Sequence, residues 1–195
     1  MIYLSFGACH LLFPVHPIWV YVMIMCRDGA LNMYPAYISI GSNMGQRMVN
    51  CRRGIDSLVT DGQSVLAATS AFYRTSPVDY MDQEWFVNAV VKIETALEPI
   101  DLLDLLGNIE KVAGRVRNPI RFGPRVLDMD IILYADYVME SERLTIPHPR
   151  MHKRRFVLQP ICDIDATIKH PILGQDMRTL LDRLGDEDQK VVEIK

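Results

Sequence analysis

Cysteine is scarce and scattered. The 195-residue chain has four, Cys9, Cys26, Cys51 and Cys162, with no CxxC pair and no short Cys/His ladder. That argues against a zinc ribbon or a disulfide framework and for free thiols in a reducing, cytoplasmic setting. A basic excess is missing too. The formal charge is -3 and the pI about 5.9, a poor match for a general binder of nucleic acid or of anionic membranes. No P-loop, protein-kinase signature, tandem repeat or local serine or cysteine hydrolase signature occurs.

Charge is sparse in one place. Residues 1–34 contain only two charged side chains, Arg27 and Asp28. The apolar run Ile18 to Cys26 is nine residues long, against the roughly 20 needed to span a bilayer, so no stable membrane insertion is expected. A secretory signal fits poorly, because no lysine or arginine precedes the apolar part. The expectation is an extension outside the functional domain, with Met33 as the natural start and the domain occupying residues 35–195; a weak membrane-associating tail is the competing reading. Mass spectrometry of the native N-terminus checks it.

What is present reads as alternating strands and helices. Residues 35–42 (PAYISIGS) alternate in strand fashion and run into Gly-Ser-Asn. Met48, Cys51, Ile55, Leu58 and Val59 recur at helical spacing across 46–60. Residues 65–74 and 86–95 are rich in β-branched and aromatic side chains and read as two strands. Pro99 suits the first turn of a helix continuing to Arg117. Leu127 to Tyr134 is the next strand, followed by a hairpin connection over 135–143 and a short edge piece over 144–147. Phe156 to Ile161 reads as extended, and 177–184 as a helix. The order βαββαβ, with C-terminal additions, is that of an α+β ferredoxin-like sandwich, helices on one face of a mainly antiparallel sheet.

The chemistry concentrates in RFGPRVLDMDII, residues 121–132. Side chains alternate across a strand, so Asp128 and Asp130 share a face with Cα atoms roughly 6.6 Å apart. Two acids so placed can hold hard cations such as Mg²⁺, which align polyphosphate oxygens for in-line transfer. An isolated Asp-x-Asp more often faces solvent. Here Arg115, Arg117, Arg121 and Arg125 crowd around it, and the planar guanidinium suits phosphate. A surface cluster that merely pairs with the aspartates is the competing reading.

That stretch, with GRVR before it and IPHPRMHKRRFVL after it, resembles the 6-hydroxymethyl-7,8-dihydropterin pyrophosphokinase family of the folate pathway. AYISIGSNMG, FYRTSPV and DQEWFVNAVVKIET extend the resemblance from about Ala36 to Gly174. It implies transfer of the βγ-diphosphate of ATP, the co-substrate, to the pterin hydroxymethyl oxygen, giving AMP, with two Mg²⁺ ions. By resemblance Asp128 and Asp130 are the magnesium ligands, and Arg115 and Arg125 neutralise the transferring phosphates. His148, with Arg154, Arg117, Arg121 and Glu110, belongs to the ATP side. Phe86 and Phe156 sandwich the pterin, Asn88 reads its edge, and the backbone around Thr75, Ser76 and Val78 completes the pocket. A monomer is expected.

The sequence departs from the family pattern at several points. Met129 replaces a branched aliphatic residue, Phe122 a common tryptophan, Asp79 a frequent glycine, and Glu84-Trp85 a usual Pro-Asp. The sequence is compatible with two other readings. One is a ferredoxin-like RNA-binding module, which lacks the RNP1 pattern and would set an acidic pair against a polyanion. The other is a different Mg²⁺-dependent nucleotidyl or phosphoryl transferase.

Overall fold

The computed structural model describes residues 32–78, 81–114, 123–185 and 189–195. Strand β1 (Tyr34–Ser42) is buried along nearly its whole length because strands flank it on both sides. It pairs antiparallel with β4 (Phe86–Thr95) and with β5 (Asp128–Tyr134). The segment expected as one strand over 65–74 is two, β2 (Ser64–Thr69) and β3 (Tyr73–Thr75). Both pair with β4, β2 along Val91–Thr95 and β3 along Phe86–Asn88. The break falls where Ser70 turns inward: the Val90 N–H donates to its hydroxyl (3.0 Å), and the Ser70 N–H donates to the Val90 carbonyl (2.9 Å).

Helix α1 (Arg47–Ser57) and helix α2 (Pro99–Val112) cover one face of the sheet. Their Cys51, Ile55, Leu102, Leu106 and Ile109 pack on Ile38, Ile40, Val91, Ile93, Met129 and Ile131. Gly54 lets α1 lie close: a β-carbon there would stand 3.0 Å from a Leu127 methyl. Helix α2 starts on Pro99, where the missing N–H costs nothing, and carries Asp101 in its first turn and Lys111 in its last, complementing the helix dipole. It stops at Val112, short of the expected Arg117, because Gly114 takes a left-handed φ of 95°.

Phe156 to Ile161, expected to be extended, lies within helix α3 (Arg155–Asp165). Val157, Leu158 and Ile161 fall on one helical stripe and bury against Tyr37, Val90 and Ile132. Helix α4 (Met177–Asp182) joins them, and its N-cap Asp176 accepts the Thr179 N–H at 2.7 Å. Helices therefore occupy both faces of the sheet rather than one, because the C-terminal additions supply a second apolar layer. Short strands β6 (Met139–Glu140) and β7 (Thr145–Ile146) pair with each other as a separate two-stranded sheet. An unexpected β8 (Val191–Glu193) extends the sheet beyond β3, giving the order β5-β1-β4-β3-β8. Residues 33–195 form one compact unit, and among the described residues no helix is long and apolar enough to cross a membrane.

Candidate active site

The pocket follows from register. Gly41 stands between Asp128 and Asn88, and Ser39 between Asp130 and Val90. Cross-strand partners share a face, so both aspartates and Asn88 rise from the face that carries Tyr37, Val90 and Ile132. Helices α3 and α4 cover those three residues and leave the neighbouring end of the same face open. The open end is a pocket lined by Ser39, Gly41, Asn88, Asp128, Asp130 and Arg125. Thr75, Ser76, Val78, Gln83, Phe86, Gly123, Arg154 and Phe156 complete its wall.

One side of the pocket is aromatic. Phe86 and Phe156 are half-buried and both face the cavity. Asn88, 5% exposed, donates through its amide to the Thr75 hydroxyl at 2.7 Å. Its oxygen lies over Gly41, where a β-carbon would stand only 2.5 Å away. Ser76 is held from outside, since its N–H donates to the Lys190 carbonyl (3.0 Å) and its hydroxyl accepts the Lys190 N–H (3.1 Å).

The other side is charged. Asp128 and Asp130 are both partly exposed, and the Arg125 guanidinium pairs with Asp128. The Arg154 guanidinium lies 5.4 Å from the Phe156 ring centre and 3.4 Å from His148 Nε2. His148 Nδ1 accepts the Arg150 N–H at 3.2 Å. Burial first, then the charges of Arg154 and Arg150, push the His148 pKa down to about 4, so the ring is neutral near pH 7.

Glu110, expected on the nucleotide side, is 5% exposed and lies behind β5, outside the pocket wall. Its carboxylate accepts the Met129 N–H at 2.8 Å, bracing the strand between the two aspartates. Arg115, Arg117 and Arg121 lie outside the described residues, as do Phe122 and Asp79. Of the other departures, Met129 fills the core behind β5. Glu84 pairs with Arg47 at 3.0 Å, and the Trp85 ring lies 4.8 Å beneath the Arg74 guanidinium.

The donor set fits Mg²⁺. This ion binds through one or two carboxylates and completes its shell with water and substrate phosphate. Two carboxylates open to the cavity supply that, whereas among the described residues no group of three or more His, Cys, Asp or Glu could form an all-protein cage. Gly41, Ser39, Asn43 and Gln83 were not singled out from sequence. Their positions depend on which residue of a distant strand or loop lies opposite, and the only local signal was the Gly-Ser-Asn ending of the first strand.

Fold and pocket together define a ferredoxin-like α+β domain in which one pocket joins Phe86, Phe156 and Asn88 to Arg125, Asp128 and Asp130. The family model for 7,8-dihydro-6-hydroxymethylpterin-pyrophosphokinase matches residues 37–166. The 2-amino-4-hydroxy-6-hydroxymethyldihydropteridine pyrophosphokinase of Haemophilus influenzae is 42% identical over 139 residues, covering 71% of this chain and 86% of that protein. The Methylorubrum extorquens protein of the same name is 37% identical over 161 residues, 83% of this chain and all of its own. The folic acid synthesis protein fol1 of Pneumocystis carinii is 39% identical over 85% of this chain, which spans only 22% of that protein's length. A solved HPPK-DHPS structure from Plasmodium falciparum aligns with a TM-score of 0.63 at 16% identity, over 83% of this chain and 45% of that one, and bears on the fold alone. The chain belongs to the 7,8-dihydro-6-hydroxymethylpterin-pyrophosphokinase family.

Proposed function

We propose that this chain transfers the diphosphate of ATP to 6-hydroxymethyl-7,8-dihydropterin. The pterin hydroxymethyl oxygen attacks the β-phosphorus, the bond from that phosphorus to the αβ-bridging oxygen breaks, and AMP leaves. The observation that carries the reading is that one pocket joins the Phe86/Phe156/Asn88 cluster to Asp128, Asp130 and Arg125.

In this reading Phe86 and Phe156 stack on the pterin faces, a geometry that adds to apolar burial. Asn88 reads the ring edge, because a side-chain amide both donates and accepts, and Thr75 fixes its orientation. The segment from Thr75 to Val78 closes the ring pocket. Asp128 and Asp130 would hold two Mg²⁺ ions, whose chemistry is to neutralise the triphosphate and align its oxygens. Without substrate, Arg125 and Asp128 satisfy each other; when phosphate is present, Arg125 turns its charge to the transferring group. Arg154 and neutral His148 complete the nucleotide side, with Arg115, Arg117 and Arg121 as further cations and Glu110 acting through β5. No covalent enzyme intermediate is needed, since alignment and charge neutralisation carry phosphoryl transfer. We further propose that residues 35–195 are the catalytic domain, that residues 1–34 lie outside it, and that the protein acts as a cytoplasmic monomer without nucleic-acid partners or stable membrane insertion.

Protein, ATP, Mg²⁺ and the reduced pterin are incubated and the nucleotide product identified. AMP that forms only with pterin supports the reading; ADP, or release of pyrophosphate, rejects it. Replacing Asp128 or Asp130 by Ala should lower turnover by more than about a thousandfold, and Arg125→Ala by about a hundredfold, with the fold retained by circular dichroism.

A further inference from the structure

Asn43 follows the end of β1, has no role in the reading above, and is 3% exposed. Both polar atoms of its side chain are engaged. Its Oδ1 accepts the Arg125 N–H at 2.7 Å, while its amide donates to Gln83 Oε1 at 2.9 Å and to the Glu84 carbonyl at 3.3 Å. The Asn43 N–H donates to the Arg125 carbonyl at 3.1 Å. Two segments remote in sequence therefore meet on one amide, and Gln83 and Arg125 both line the pocket. A side-chain amide suits this place because it accepts at one end and donates at the other.

The Gln83–Trp85 segment has a second tether. Arg47 donates to the Trp85 carbonyl at 2.7 Å and pairs with Glu84 at 3.0 Å. Loss of the Asn43 amide thus leaves that segment anchored to α1 and removes the hydrogen bonds that run through the Asn43 side chain to the Arg125 backbone. We infer that Asn43 is a positioning residue that latches the Gln83–Glu84 rim to the Arg125 backbone, so that the ring side of the pocket sets the arginine paired with Asp128. The catalytic consequence rests on the function proposed above; the latch itself does not.

The test is a double-mutant cycle on Asn43→Ala and Gln83→Met, read by hydrogen exchange at the Arg125 amide and by steady-state kinetics. Gln83→Met should speed exchange at Arg125 about tenfold in the native background and change nothing further in Asn43→Ala. Asn43→Ala, with kcat referred to the folded fraction measured by circular dichroism, should lower kcat about tenfold with a smaller change in the KM for ATP. If Asn43→Ala does not fold, Asn43→Ser, whose single hydroxyl is too short to reach Gln83 and Arg125 together, carries the same comparison. Exchange at Arg125 that ignores Gln83→Met, or responds equally in both backgrounds, overturns the latch whatever the activity. Coupled exchange in a protein that forms no AMP keeps the latch and rejects the function.

Discussion

Gly41 lacks a side chain because the Asn88 oxygen occupies the space one would fill, with a β-carbon only 2.5 Å from it. The change Gly41→Ala should therefore push Asn88 aside and raise the pterin KM by at least about tenfold, while the affinity for a nonhydrolysable ATP analogue stays within about twofold. His148 gives a pH signature. Its folded pKa of about 4 lies below the ordinary 6.5, so between those values the unfolded chain binds the extra proton. Stability from the neutral ring is complete above pH 6.5 and is lost as pH falls to 4, by on the order of 2 kcal/mol after allowing for solvent screening. Chemical denaturation from pH 7.5 to 4 should show that slope in the native protein and a flatter one in His148→Asn. At this scale the sequence was legible where strand parity alone decides, as for Asp128 and Asp130. It was opaque where a partner on another strand decides, as for Gly41 under Asn88 and Asn43 against Arg125.

Helix α3 shows how local signals mislead. Phe156 to Ile161 mixes aromatic, β-branched and proline residues, which favours an extended reading, and Pro160 cannot donate to the Phe156 carbonyl. Burial overrides that preference: Val157, Leu158 and Ile161 are fully buried against the sheet, each contributing about 1.5–3 kcal/mol. Leu158→Ala should cost about 2–5 kcal/mol in urea denaturation, and a loss below 1 kcal/mol would contradict this packing. The helix is tied to β3 as well, since the Tyr73 hydroxyl donates to Asp163 at 2.7 Å. Burial and that carboxylate raise the Tyr73 pKa. The split between β2 and β3 was equally hidden, because the Ser70 hydroxyl that replaces a ladder bond is visible only beside Val90.

Across the whole molecule, the βαββαβ core was readable because period-2 and period-3.6 patterns alternate cleanly along it. Of the C-terminal part only the helix over 177–184 was readable, found as α4, while α3 and β8 were not; yet this part decides where the pocket lies, since α3 and α4 cover one end of a sheet face and leave the acidic end open. The chain's tail reaches back to the same end, with Gln189 accepting the Arg155 N–H at 2.8 Å and Lys190 bridging to Ser76. The sharpest discrimination comes from paramagnetic resonance of Mn²⁺ titrated into protein with a nonhydrolysable ATP analogue. The native chain should immobilise about two Mn²⁺ per nucleotide, and the Asp128→Asn/Asp130→Asn double variant should lose that signal while remaining folded. Equal Mn²⁺ binding by both proteins would mean that the paired aspartates do not hold the metal.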